Sequence, residues 1–226
     1  FTHMIRCTMK YIISTLLTLA LAVGIASSVQ AKRGGDGQLN LLYWQAPSTM
    51  NPNLSGGTKE LEASSVVIEP LARYDEKGNL LPWLAVEIPT VGNGGVAKDL
   101  TSITWKIKKG IKWSDGSAFT ADDAVFTYEY CTNPDTGCTQ TNYYSDIQSV
   151  KALDSHTVKI TFTVAKPFPY AAFVGYNSPI LQKAQFAGCQ GAKAQECTEQ
   201  NFHPIGTGPF KVVDFKPNDV IVFEAN

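Results

Sequence analysis

Histidine is scarce in this chain, with three residues in 226. That leaves little material for an imidazole-based metal site or for acid–base chemistry centred on histidine. No charge of one sign dominates: 19 lysines and arginines stand against 20 aspartates and glutamates. Nothing therefore points to a nucleic-acid partner, which would show as a basic patch or a high isoelectric point. No Gly-x-Ser-x-Gly elbow is present, and no cysteine–histidine pairing looks catalytic. Gly206-Thr207-Gly208-Pro209 lacks the lysine and the hydroxyl that follows it in a phosphate loop, and leads into a strand-like run; Gly92 to Gly95 fails the same test. There is no internal repeat, and no cofactor is expected. What remains is an ordinary globular composition, 44% hydrophobic and 17% charged. It is long enough for one large domain or two small ones.

The N-terminus reads as a targeting segment. Lys10 is followed by an apolar run from Tyr11 to Ala26, then Ser27-Ser28-Val29-Gln30-Ala31. Val29 and Ala31 are the small residues that a signal peptidase takes three and one positions before its cut. Residues 1–31 are thus expected to be upstream residues and a cleaved signal peptide, Met9 being a better start than Met4. The run is too short and too mildly flanked for a membrane span. Cys7 precedes the run, so no lipid-acceptor cysteine follows it. Cleavage removes Arg6 and Lys10 and no acid, which makes the mature chain more acidic. A soluble secreted protein fits better than a lipoprotein.

Four cysteines follow the signal: Cys131, Cys138, Cys189 and Cys197. An even number in an exported chain points to disulfides. Of the three pairings open to them, Cys131–Cys138 with Cys189–Cys197 is the expected one. Each pair encloses a short polar loop, and Thr132-Asn133-Pro134-Asp135-Thr136-Gly137 is rich in turn formers. A zinc site is the alternative, but neither His156 nor His203 has ligand spacing to a cysteine.

Leu39 to Trp44 reads as a buried strand, and Glu60 to Leu71 as a helix with Pro70 near its end. Asp75 to Asn79 is a turn between two short strands, and Val91 to Gly95 a loop. Ile103, Trp105 and Ile107 alternate with polar residues, as do Val158, Ile160, Phe162 and Val164, so both segments read as half-buried strands. Thr120 offers a helix N-cap with Asp122 and Asp123 in the first turn. The paired acids suit capping better than general acid–base work. Phe210 to Phe223 reads as two strands joined at Lys216 to Asp219. Elements interleave irregularly, which suggests a mixed α/β architecture.

The run Trp113-Ser114-Asp115-Gly116-Ser117-Ala118-Phe119-Thr120-Ala121-Asp122-Asp123-Ala124-Val125-Phe126 resembles the family 5 extracellular solute-binding proteins. These are the dipeptide, oligopeptide and nickel-binding components of ABC importers. Met50-Asn51-Pro52, Glu69-Pro70-Leu71, Pro82-Trp83-Leu84-Ala85 and Pro204-Ile205-Gly206-Thr207-Gly208-Pro209-Phe210 agree in order and spacing. The four cysteines and the long segment from Gln182 to Phe202 depart from the pattern. The resemblance implies an α/β fold of the type II periplasmic-binding-protein kind, with a mixed sheet. Residues 32–226 would be the N-terminal lobe with the family's extra subdomain, the second lobe missing. It implies a periplasmic, monomeric protein, not an enzyme, that binds a peptide or similar small molecule between two lobes and delivers it to a membrane permease. A secreted hydrolase, or a receptor or chaperone on the same fold, is the alternative.

Ligands in such folds lie beyond the carboxyl ends of strands. That singles out Trp44, Gln45 and Ala46, with plain core packing as the other reading of Trp44. Lys59 and Glu60, after a Gly-Gly turn, face either a cleft or solvent. Tyr176 and Asn177, in an unusually aromatic loop, either bond a ligand or pack.

Overall fold

A computed structural model describes residues 37–226. The expected signal peptide, in residues 1–31, lies outside the described residues. The chain divides into two units, Phe1–Tyr43 and Trp44–Asn226. In the first, residues 38–43 form no strand, and Leu39, Leu41 and Leu42 are exposed. The expected buried strand at 39–44 is therefore corrected. An apolar run becomes a strand only where a second strand takes its backbone groups, and that partner is not encoded in the run itself.

The second unit opens with a loop and helix α1 (Thr58–Ser64). The helix is shorter than the expected 60–71 span. The Ser64 and Ser65 hydroxyls bond back to the carbonyls of Leu61 and Glu62, and β-branched Val66, Val67 and Ile68 follow. Both features work against continuing a helix. Strands β1 (Ala72–Tyr74) and β2 (Leu80–Pro82) then pair antiparallel. Asp75 closes their turn by accepting from the backbone N–H groups of Lys77 and Asn79.

Strand β3 (Ser102–Lys106), helix α2 (Ala121–Thr132) and the hairpin of β4 (Ile147–Asp154) and β5 (Thr157–Phe162) build the main layer. The sheet is antiparallel in the order β3-β5-β4. Ile103, Trp105, Val158 and Ile160 are fully buried on its inner face, as the alternation predicts. Strand β4 has a register irregularity between Ile147 and Ser149, which breaks the two-residue period that would have marked it. Val164 was expected to face inward but is exposed, because β5 ends at Phe162 and the chain bends away toward Pro167.

Helix α2 joins two cores. Its Ala121, Ala124 and Cys131 pack with the sheet, while Phe126 and Tyr130 pack with Met50, Val67, Leu181 and Phe186. Asp123 ties two helix starts together. One carboxylate oxygen accepts from the Thr120 N–H and the other from the Lys183 N–H, each at 2.9 Å. Burial pushes this carboxyl up, against those two bonds. Thr127 extends the seam, its hydroxyl accepting from the Leu181 N–H at 2.9 Å.

The segment after Gln182 is a chain of short pieces, α3 (Lys183–Phe186) and α4 (Thr198–Phe202), with a 3-10 turn at Gly191–Lys193. Disulfides join Cys131 to Cys138 and Cys189 to Cys197, with Cα–Cα separations of 5.1 and 5.8 Å. This is the local pairing, and it leaves none of these four thiolates for zinc. The hairpin β6 (Phe210–Lys216) and β7 (Val220–Ala225) completes the unit.

Candidate functional site

Helix α1 places the first pair of candidate residues. Glu60 is only 1% exposed, so it is not a solvated surface charge. Its Oε1 accepts from the Ser48 N–H at 2.9 Å and the Ser48 hydroxyl at 2.8 Å, and it pairs with the Lys59 ammonium. Its Oε2 is buried and has no hydrogen-bond partner among the described residues. Gly57 leaves room for that oxygen. A Cβ there would land on Oε2, with the carboxyl carbon 3.5 Å away. Burial raises the carboxyl's pKa, but the bonds from Lys59 and Ser48 outweigh it, and the net direction is below the ordinary value.

A pH prediction follows from that direction. A carboxylate whose folded pKa is depressed contributes stability that is complete above the unfolded value, 4.5 here, and lost as pH falls through the folded value. Glu60→Gln keeps the Ser48 bonds and removes the charge opposite Lys59. It is expected to lower stability by about 1–2 kcal/mol at neutral pH. In urea melts the gap from wild type should close under acid conditions. A gap that persists unchanged would rule out the ion pair as its source.

Trp44 and Gln45 are exposed and Ala46 half-buried; Trp44, at 68% exposure, is not core. The next residues, Pro47 and Ser48, lead directly to the Glu60 carboxylate. Ser48 thus joins the segment that carries Trp44, Gln45 and Ala46 to the Lys59–Glu60 pair on α1.

Tyr176 and Asn177 sit on a second element, the loop between Phe173 and Ser178. Phe173 is fully buried with φ of 63°, a left-handed backbone that side-chain-bearing residues adopt only when their surroundings enforce it. The enforcement is visible. The Phe173 N–H donates to the Ser178 hydroxyl at 2.9 Å, and its carbonyl accepts from the Leu71 N–H at 2.8 Å. The Ser178 hydroxyl donates to Tyr144, whose phenol burial holds well above its ordinary pKa. This anchored base presents Tyr176 half-exposed and Asn177 partly buried. Tyr176 lies near Tyr143, whose phenol is pushed up by burial first and by Tyr176 second.

The two elements are linked through Gln140, which the sequence reading passed over. Its Nε2 donates to the carbonyls of Pro52 and Ser55 at 3.4 and 3.2 Å, and it directly precedes the turn that bears Tyr143 and Tyr144. Ser48 carried no signal beyond lying near the Met50-Asn51-Pro52 motif, and Gln140 and Tyr143 carried none. Polar loop residues become legible only when their distant partners are known.

A second polar node lies where three sequence motifs meet. The Glu69 carboxylate accepts from the Trp83 indole N–H at 2.6 Å and from the Thr207 hydroxyl at 2.9 Å. Arg73 stands 3.6 Å from it and 4.3 Å over the Trp83 ring. Gly206 and Gly208 press against the backbone of Val66 and Val67, and the Gly208 N–H donates to the Val67 carbonyl at 2.8 Å. The Gly-Thr-Gly-Pro run therefore serves close backbone packing.

Two small cavities accompany these elements. One of about 140 Å³ lies between Glu87, Asn93, Gly95, Thr104 and Lys106 and touches none of the candidate residues. The other, about 50 Å³, is bordered by Tyr143, Ile147, Phe162 and Phe168. Neither approaches the roughly 300 Å³ at which small-molecule pockets begin. Of the candidate residues, Trp44, Gln45 and Tyr176 are exposed, and Glu60 is buried.

Residues 79–226 match the family model of the bacterial extracellular solute-binding proteins, family 5 Middle. The chain belongs to this family. The family 5 chain is 28% identical over 233 aligned positions to the oligopeptide-binding protein AppA of Bacillus subtilis, covering 98% of itself and 41% of AppA. It is 32% identical over 129 residues to the glutathione-binding protein GsiB of Pectobacterium atrosepticum, covering 57% of itself and 24% of GsiB. The solved structure of AppA in complex with a nonapeptide matches with a TM-score of 0.70 at 28% identity, over 80% of this chain and 34% of AppA. NikZ from Campylobacter jejuni, solved in complex with Ni(L-His), matches with a TM-score of 0.64 at 29% identity, over 83% of this chain and 34% of NikZ. The family 5 chain thus spans between 24% and 41% of the length of these curated relatives. Its fold is part of the type II periplasmic-binding-protein architecture. The family is extracellular, and its members are transport binding proteins.

Proposed function

We propose that this chain supplies one wall of the ligand cleft in an extracytoplasmic substrate-binding protein of an ABC importer, and that the ligand is a peptide. One observation carries the reading. The relative aligned along 98% of the chain is an oligopeptide-binding protein, and its peptide complex has the same fold. The exposure of Trp44, Gln45 and Tyr176 fits a wall role. A peptide must have its backbone groups met and its side chains housed. Tyr176 and Trp44 offer amphipathic rings. Trp44, Gln45, Ala46, Lys59, Glu60, Tyr176 and Asn177 are the residues assigned to this wall. Closure of two lobes on the ligand would then select the form that docks on the membrane permease. The protein is assigned to the periplasm through a cleaved signal at residues 1–31, as a monomer without catalytic activity.

Isothermal titration and thermal melts of the natural full-length protein test this. Arms with di- and tripeptides, a nonapeptide, glutathione and nickel–histidine separate the ligand classes; the last is included because of the likeness to NikZ. At a hundredfold excess over the dissociation constant, a peptide should stabilise the protein by about 2.7 kcal/mol. Binding of the nickel chelate alone would transfer the site to chelates. No heat and no stabilisation in any arm would overturn the reading.

A further inference from the structure

The two disulfide-closed loops are not independent. The ring closed by Cys131 and Cys138 contains Thr136, which is 1% exposed, and its hydroxyl accepts from the Gly191 N–H at 3.1 Å. Gly191 lies inside the ring closed by Cys189 and Cys197. The two rings are thus packed together and bonded at a buried point.

Each ring also reaches the same third segment, residues 49–55. Just beyond Cys138, the Thr139 N–H donates to the Asn53 carbonyl at 2.9 Å, and Gln140 holds Pro52 and Ser55 as described. Just before Cys131, the Tyr130 hydroxyl accepts from Asn51 Nδ2 at 3.2 Å. From the second ring, the Asn201 N–H donates to the Cys197 carbonyl at 2.9 Å, and Asn201 Nδ2 donates to the Ala194 carbonyl at 2.8 Å. Asn201 passes that anchorage on. Its Oδ1 accepts from Asn51 Nδ2 at 2.9 Å, and its backbone carbonyl accepts from the Met50 N–H at 2.9 Å. Asn51 is fully buried, and the segment continues directly into Gly56, Gly57 and the Lys59–Glu60 pair.

We propose that the paired disulfide loops are a clamp that positions residues 49–57, and through them the Lys59–Glu60 part of the ligand wall. This rests on the reading of that wall given above. The cysteines and the Gln182 to Phe202 segment are then one device: the long segment exists to bring a second braced ring, and Asn201 with it, against the first. Gln140, Asn51 and Asn201 are positioning residues. A loop held in its binding conformation pays less on ligand capture, and one competent a tenth of the time shows an affinity about tenfold weaker.

The test uses the natural full-length protein and three variants: Cys131→Ser with Cys138→Ser, Cys189→Ser with Cys197→Ser, and Gln140→Glu. The last keeps shape and replaces a donor by an acceptor opposite two carbonyls, so it stands in if a disulfide variant does not fold. Amide hydrogen exchange without ligand is read by mass spectrometry. Faster exchange is expected in 49–57, with β3 and β5 unchanged, in Gln140→Glu and in each disulfide variant that folds. Peptide affinity should fall about tenfold in the same variants. Unchanged exchange at 49–57 in all variants that fold overturns the clamp, as does acceleration spread evenly over the sheet. If the wild-type protein binds no peptide, the wall reading fails, while the exchange result still decides whether the clamp exists.

Discussion

Gly206→Ala is expected to destabilise the protein by about 3 kcal/mol, although it adds one methyl group. The added Cβ would overlap the Val67 carbonyl oxygen, with the Val67 carbonyl carbon 2.5 Å away. Backbone atoms cannot rotate aside as a side-chain end can, so the 206–210 segment must lift from Val66 and Val67. That puts two backbone bonds at risk, Gly208 to Val67 at 2.8 Å and Phe210 to Val66 at 3.2 Å. The bond from the Ser114 N–H to the Gly206 carbonyl at 2.9 Å lies in the same path. Losing one buried backbone bond costs about 1–3 kcal/mol beyond the clash. A melting-temperature drop of roughly 6–12 °C follows for a unit of this size. Gly78→Ala is the control, with φ of 79° and open space around it. Its cost is conformational only, about 1–2 kcal/mol. Equal shifts in the two variants would show that close packing at Gly206 is not what its glycine serves.

Much of this fold is legible in the sequence, and for identifiable reasons. The β3 and β5 cores could be read because alternation maps directly onto the two faces of a strand, and Ile103, Trp105, Val158 and Ile160 follow it. Thr120 with Asp123 marked the start of α2 because capping is local chemistry. The hairpins around Asp75 to Asn79 and Lys216 to Asp219 were visible for the same reason. What was not legible is non-local. Leu39 to Trp44 has the composition of a strand, but pairing is a property of two segments. Strand β4 was hidden by its irregular register. In the candidate site, Lys59 and Glu60 were singled out by the Gly-Gly turn before them, but the burial of Glu60 and its capture by Ser48 depend on a loop folding back twelve residues. Asn51, Gln140 and Asn201 are separated by up to 150 residues in sequence and meet only in the fold.

The second large effect is expected at Glu69. Glu69→Ala should cost about 3–4 kcal/mol, because it removes the common partner of Trp83, Thr207 and Arg73. Trp83 would keep its ring in place but lose the acceptor of its indole N–H, and the Thr207 hydroxyl would lose its acceptor. Arg73 would keep its bond to the Ser65 carbonyl at 2.9 Å and its seat over the Trp83 ring, but without a counter-charge. Burial already pulls that guanidinium down, with Glu69 acting against it, so the cation would be left in a less favourable place. Glu69→Gln separates the contributions. It keeps an acceptor for Trp83 and gives Thr207 a donor that the rotatable hydroxyl can accept from, so its cost should be near 1 kcal/mol, mostly the Arg73 pairing. Urea unfolding of both variants reads the difference. A further cycle with Thr207→Val should show coupling to Glu69→Ala of 0.5 kcal/mol or more, as groups in one network do. Strict additivity would mean that the Gly-Thr-Gly-Pro strand is held by its backbone alone, with the Glu69 carboxylate only filling the space beside it.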